Sequence, residues 1–139
     1  MPAVSFRREW AAQVRYGAAL AAGDLALAAQ LRADAGNELL PKRSTVRRAG
    51  RARAGEVLHL FVDQRQPTCA RLGTVVCLGV TPLALAPDAA GFVLDGRPLT
   101  AAQSEAFARL DTAGQWDAAA LWGFFRATYA DAPLALYLW

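Results

Sequence analysis

Lysine is almost absent from this 139-residue chain: fourteen of its fifteen basic residues are Arg, and Lys42 stands alone. Histidine is as scarce, with His59 the only one, and the two cysteines, Cys69 and Cys77, lie eight positions apart outside any C-x-x-C. A zinc site draws three or four Cys, His or carboxylate ligands from short pairs, so neither metal chemistry nor a disulfide framework is expected. G-x-S-x-G, a Walker A loop and G-x-G-x-x-G are also missing, which speaks against a Ser-His-Asp hydrolase and against NTP and dinucleotide enzymes. His59 sits in a strand-like run and reads as a packed or surface strand residue. No uncharged apolar run approaches the roughly 18 residues that cross a bilayer, and the opening Pro2-Ala3-Val4-Ser5-Phe6-Arg7-Arg8 has no apolar h-region. Neither a membrane span nor a secretory signal is expected; the protein reads as cytoplasmic and without a cofactor.

The length corresponds to one domain, residues 1–139, around a single core. The 55% hydrophobic content overstates its oiliness, because 32 residues are Ala, which buries little surface and favours helix. Charge is unevenly distributed: residues 1–75 hold twelve Lys or Arg against six Asp or Glu, whereas residues 76–139 hold three against six. Half of the first set, Lys42, Arg43, Arg47, Arg48, Arg51 and Arg53, fall in one stretch with no acid among them. Such density repels itself unless an anion is near, and phosphate is the usual one. Aromatics do not interleave the patch, so base stacking on it is not expected. Where bare charge suffices this chain uses Arg, so the single Lys points to something a guanidinium cannot do, which is to lose its proton. The five Arg that follow it are the surroundings that push an amine's pKa down.

Val4-Ser5-Phe6 predicts a short strand, and Phe6, Trp10 and Val14, at i, i+4 and i+8, carry an apolar stripe into a helix ending near Gly17. In the Ala-rich residues 18–40, Asp24 caps a second helix with Leu27 and Leu31 on one face, stopped by Ala35-Gly36-Asn37. From Arg43 the period drops to two. Thr45 to Arg47, Glu56 to Val62 and Leu72 to Val80 read as strands, the last a buried, bent barrel strand with Cys77 as a small core residue. Gly91 to Leu94 reads as a short strand ending in an Asp95-Gly96 turn. Thr100 and Gln103 form a capping box for a helix to about Leu110 that turns Ala106, Phe107 and Leu110 inward. A further helix, Trp116 to Tyr129, presents Leu121, Phe124, Phe125 and Thr128 as an apolar face that seals the barrel. Pro133 ends it, and Leu134 to Trp139 return as a strand. The order is that of an α+β domain built on a small β-barrel.

The blocks Lys42-Arg43-Ser44-Thr45-Val46-Arg47 and Ala54-Gly55-Glu56-Val57-Leu58-His59-Leu60 resemble the K-x-x-T-x-R and G-D-x-L-x-L signatures of ASCH domains, members of the PUA-like superfamily. Arg65 to Gly73, Val93 to Gly96, Glu105 to Ala108 and Trp116 to Tyr129 are similar to later blocks of the bacterial and phage-borne branch. The resemblance covers about residues 1–17 and 40–139, so residues 18–39 read as an extra N-terminal helical insertion. Two places depart from the pattern: Glu56 stands where Asp is usual, and Asp111-Thr112-Ala113-Gly114 replaces a tighter acidic-Gly turn. The resemblance implies a PUA-like barrel with flanking helices, a basic cleft between them, and RNA or a modified nucleoside as ligand, without metal. Some members of this kind hydrolyse the acetyl amide of N4-acetylcytidine; others are ribonucleases or RNA-binding modules.

In that cleft, amide hydrolysis needs a nucleophile, a base for its proton and an acid for the leaving nitrogen. The expected set is the Thr45 hydroxyl as nucleophile, neutral Lys42 as its base, and Asp111 as the acid that protonates N4, with Glu56 as the substitute carboxylate if Asp111 points away. Arg47 shares a strand face with Thr45 and holds the oxyanion or a phosphate through its fork. Lys42 shares the mouth with Thr45 only if the chain turns or bulges between them. Arg43 and Arg48 belong to the ligand-facing patch, and Arg65 and Arg71 either line the cleft for phosphate or are solvated strand ends. A metal-free amidohydrolase acting on N4-acetylcytidine is expected first among activities, with a ribonuclease or a non-catalytic RNA-binding module as the alternatives.

Overall fold

The computed structural model describes residues 2–87 and 91–139. In chain order it contains β1 (Ala3–Phe6), a single 3-10 turn (Arg8–Trp10), α1 (Ala11–Ala22), α2 (Leu25–Asp34), β2 (Ser44–Arg48), β3 (Val57–Val62) and β4 (Ala70–Val76). These are followed by β5 (Gly79–Leu85), β6 (Phe92–Leu94), β7 (Arg97–Pro98), α3 (Ala101–Asp111), α4 (Ala118–Tyr129) and β8 (Leu134–Leu138). The fold is α+β, with the strands in two sheets ordered β1-β3-β4 and β2-β8-β5-β6-β7, and with β1 parallel to β3.

Among the described residues neither sheet closes into a barrel. The single long strand expected from Leu72 to Val80 is two strands, with the chain crossing between sheets at Cys77-Leu78. The Cys77 N–H donates to the Glu56 carbonyl beside the first sheet at 2.8 Å, and the next N–H, that of Leu78, donates to the Leu138 carbonyl of the second at 2.8 Å. One segment thus hands the ladder from sheet to sheet. On the opposite side arginines link β1 to β2 and to the segment after it in place of ladder rungs: Arg47 Nη2 donates to the Ser5 carbonyl at 2.8 Å, and Arg51 Nη2, beyond the end of β2, to the Ala3 carbonyl at 3.2 Å. Guanidiniums standing between these edges keep them a side chain apart, so the sheets stay open there.

Alternation along β8 divides the interior in two. Ala135, Tyr137 and Trp139 join one core with Val14, Leu60 and Cys77, while Leu134 and Leu136 join another with Val46, Phe92, Leu121 and Phe125. A strand that is a wall to both cores has little use for polar side chains, which accounts for the uninterrupted Leu134-Ala135-Leu136-Tyr137-Leu138-Trp139.

Two helices differ from their sequence reading in ways that matter for the cleft. Helix α1 does not end at Gly17 but runs on to Ala22, where Gly23 at φ 72° caps it. Gly17 instead lies against the Lys42 backbone, where a Cβ would overlap the Lys42 carbonyl. The Thr100–Gln103 capping box starts α3 as expected, but the helix is rolled: Leu110 is 75% exposed, Ala106 is exposed and Phe107 only half-buried, while Ser104, Ala108 and Asp111 face inward. The packing of α3 on both α4 and β2 accompanies this roll, which carries a carboxylate into the interior. Helix α2 begins where Asp24 Oδ1 accepts the Leu27 N–H at 3.1 Å, and α4 begins at Ala118 rather than Trp116 because Asp117 caps it through the Ala120 N–H at 2.8 Å.

Candidate active site

A cleft of about 360 Å³ lies along the β1–β2 seam and the inner edge of α4, and Lys42, Thr45, Arg47 and Asp111 all line it. Lys42 precedes β2, outside regular structure, so strand alternation does not govern it. Its backbone N–H donates to the Gln13 carbonyl at 2.9 Å, the close approach at Gly17 seats its carbonyl, and the side chain turns inward to 5% exposure. The ammonium donates to the Asp111 backbone carbonyl and stands 3.6 Å from Asp111 Oδ1. Asp111 is the last residue of α3, so Nζ satisfies an otherwise unbonded carbonyl at the end of the helix where the dipole favours a cation. Ser44 Oγ donates to the same Oδ1 at 2.7 Å, which fixes the carboxylate.

Thr45 and Arg47 share a face of β2, as their spacing requires. Arg47 Nη1 donates to Thr45 Oγ1 at 2.5 Å and to the Val46 carbonyl at 2.7 Å, while Nη2 spans to Ser5. Thr45 Oγ1 therefore accepts a charge-assisted hydrogen bond and keeps its own hydrogen to give up. The Phe6 ring lies near both cations, 5.8 Å from Lys42 Nζ and 5.2 Å from Arg47 Cζ, and Trp10 is 5.3 Å from Nζ. Such ring faces stabilise a desolvated cation by up to about 2 kcal/mol.

Burial is the largest influence on Lys42 and holds its pKa below the ordinary 10.5; Asp111 opposes that effect and Arg47 reinforces it. Burial also lowers the Arg47 pKa, but a guanidinium keeps its charge at any working pH. A site of low polarity penalises the charged form of Lys42 more than water does, and its amine form is the base that amide cleavage needs.

The remaining wall is aromatic. Trp10 meets Trp116 edge-on at 5.3 Å, and Trp116 meets Phe124 edge-on at 5.2 Å. Thr112 Oγ1 donates to the Ala108 carbonyl at 2.7 Å and accepts the Trp116 N–H at 3.0 Å, locking the turn that places this ring. The result is a slot with apolar sides and a polar end, suited to a flat heterocycle.

No protein-family model matches the chain, and no curated protein or solved structure matches it. Functional assignment therefore rests on the residues in the cleft. Among the described residues no three Cys, His, Asp or Glu side chains group as a metal would require, and no helix is long and apolar enough to cross a membrane.

Four of the residues expected to contact ligand lie outside the cleft. Arg43 Nε donates to the Trp139 carbonyl at 3.0 Å, away from Thr45. Glu56 Oε1 accepts the Arg53 N–H at 2.7 Å and closes the turn before β3, so Asp111 is the carboxylate of the cleft. Arg65 is exposed in the β3–β4 turn at φ 68°. Arg71 approaches His59, its Nη2 lying 2.6 Å from Nδ1, on the first sheet. Arg48 is exposed beside the cleft, its guanidinium carbon 6.0 Å from the ring centre of Tyr129, which lines it. Arg47 is in the cleft, but Thr45, Val46 and Ser5 occupy both terminal nitrogens, making it first a staple between strands.

Ser44, Arg7, Trp10 and Trp116 are site residues that the sequence reading did not assign. Ser44 was legible in principle: one step from Thr45 on a strand, it must face the other way, toward whatever packs there. The two Trp residues were indistinguishable from ordinary core, and one ring of the pair does belong to it.

Proposed function

We propose that the chain is an ASCH-type, PUA-like protein whose cleft is a metal-free amidohydrolase site for N4-acetylcytidine. The observation that carries this reading is the buried Lys42 ammonium held against Asp111 in the cleft that also contains the Thr45 hydroxyl. The shared strand crossing at Cys77-Leu78 and the facing β1 and β2 edges support a pseudo-barrel, with arginine staples where rungs would stand.

Acylcytosine enters the slot between Trp116 and the β1–β2 seam with its N4 substituent toward Thr45. Neutral Lys42 takes the Thr45 proton as Oγ1 attacks the acetyl carbonyl, and the Arg47 bond to Oγ1 stabilises the alkoxide character that develops. Asp111, as the acid, gives its proton to N4 as the C–N bond breaks, releasing cytidine and leaving an acetyl ester on Thr45. Water, deprotonated by the Asp111 carboxylate, then attacks the ester, acetate leaves, and Thr45 recovers its proton from Lys42. Ser44 acts as a positioning residue through Asp111.

Release of acetate from N4-acetylcytidine tests the reading directly. Lys42→Arg keeps the charge but cannot supply an amine base, so its turnover is expected to fall by at least about a hundredfold, the scale of a general base; full activity in that variant would remove the mechanism. A second reading, RNA binding without catalysis, draws on the exposed Arg48 next to Tyr129 and on the exposed Arg51 and Arg53 in the segment that follows β2. Its mark is affinity for RNA that falls steeply with salt, by a log–log slope of about −0.7 per phosphate neutralised, with no acetate released; cleavage of the RNA, lost in Lys42→Ala, would favour the ribonuclease instead.

A further inference from the structure

We propose that the cytidine is taken as its 5′-phosphate, with Arg7 and Arg48 as the phosphate ligands at the mouth of the cleft; this rests on the acylcytosine reading above. Lys42, Asp111 and Thr45 fix the acyl edge of the base at the buried end, so the ribose and its 5′ substituent leave by the rim. There, two rings of α4 that line the cleft, Phe124 and Tyr129, each carry a guanidinium: Arg7 Cζ is 4.9 Å from the first ring centre and Arg48 Cζ 6.0 Å from the second. Arg7 itself lines the cleft, and Arg48 stands outside it against the Tyr129 ring, five positions along the helix from Phe124.

Ring stacking orients a guanidinium without using its N–H donors. Among the described residues the Arg48 side chain makes no hydrogen bond and no ion pair, in contrast to Arg43, Arg47 and Arg51, whose donors go to carbonyls. Arg7 has one acid near it, Glu9 at 3.8 Å, with both side chains more than half exposed at 60% and 56%. A guanidinium oriented by a ring, with its donors free in Arg48 and facing only the Glu9 carboxylate in Arg7, matches the oxygens of a phosphate, and little side-chain freedom is lost when it binds. Glu9 is the repulsive group at the same rim and weakens that binding.

Calorimetry with cytidine and cytidine 5′-monophosphate at low ionic strength tests this on the intact protein. The nucleotide is expected to bind at least about tenfold tighter, the gain from a charge-assisted contact. In Arg7→Gln/Arg48→Gln the ratio of the two affinities is expected to fall toward one, in Glu9→Gln to rise, and in Arg126→Gln, where the Arg pairs with Asp131 at 3.3 Å elsewhere on α4, to stay as it was. Equal affinity for the two ligands, or a preference that survives the double variant, would overturn the assignment. A trinucleotide with a central N4-acetylcytidine separates the two sources of phosphate: tighter binding than the mononucleotide assigns the rim to an RNA chain, and weaker binding assigns it to a free nucleotide. An Arg-dependent preference without any acetate release would keep the phosphate ligands and sink the hydrolytic reading alone.

Discussion

At Lys42 two opposed effects meet. Withdrawing an ammonium from water costs several kcal/mol even after relaxation, and the Asp111 carboxylate, the carbonyl end of α3 and two ring faces offset it. Removing one partner exposes the cost: Asp111→Ala is expected to lose about 3–5 kcal/mol in urea denaturation, whereas Lys42→Met/Asp111→Leu recovers most of that because no charge is left buried. The pH dependence has a definite sign. The folded protein holds the Lys42 proton less tightly than the unfolded chain, whose lysine titrates near 10.5, so between the lowered pKa and 10.5 the unfolded state binds more protons. The stability contributed by this group therefore rises with pH through that window and is smallest below it. The proposed cycle needs one proton held between Lys42 and Asp111, and that proton is lost over the same interval, so log kcat/KM is expected to fall along a one-proton limb with its midpoint below 10.5; a rate that climbs through that interval would contradict Asp111 as the acid. The lone lysine was legible because Arg had replaced Lys everywhere else in the chain. Its partner was less so, since nothing local distinguishes an acid that ends a helix at the surface from one that ends it inside.

Among the elements, α3 illustrates how far periodicity reaches. Its start was readable from Thr100 and Gln103 because a capping box is a local device. Its roll was not: Ala106-Phe107-Leu110 and Ser104-Ala108-Asp111 are both helical faces, and the choice depends on the elements packed against them, α4 and β2, the second more than fifty residues away in sequence. Gly17 misled for the same reason, since a glycine that ends a helix and one that admits a neighbouring backbone look alike in sequence. The structure separates the two kinds by substitution. Gly17→Ala forces α1 from Lys42 and is expected to cost about 1–3 kcal/mol as overpacking does, with a fall in kcat. Gly123→Ala on α4, where an added Cβ meets nothing within 4 Å, is expected to gain about 0.5–1 kcal/mol; equal effects would contradict the packing described. Arg47 is the corresponding test for β1. Arg47→Lys supplies one point charge where two terminal nitrogens bridge Ser5, Thr45 and Val46. Amide exchange in the β1–β3 ladder is expected to accelerate while the β2–β8 ladder keeps its protection, and uniform change across both would remove the staple.

Over the whole molecule, the sheets share a strand crossing on one side and meet through arginines on the other, and the cleft lies on the second side. The helical N-terminal section and the positions of most strands follow from hydrophobic period and turn residues, whereas the order of the strands and closure depend on which edges pair, a non-local choice that alternation within a strand does not encode. The basic stretch from Lys42 to Arg53 likewise reads as one patch in sequence but divides in three dimensions: Lys42 goes inside, Arg43, Arg47 and Arg51 bind carbonyls, and Arg48 stands at the rim. Charge density thus located the site without telling which charges serve it. The measurement that bears most directly on the function is acetate release from N4-acetylcytidine by freshly purified protein, with chelator present, alongside Lys42→Arg and Thr45→Val. Turnover by the wild type and its loss in both variants, with melting temperatures close to that of the wild type, is the expected result; no acetate from the wild type, or undiminished release from Lys42→Arg, would contradict it.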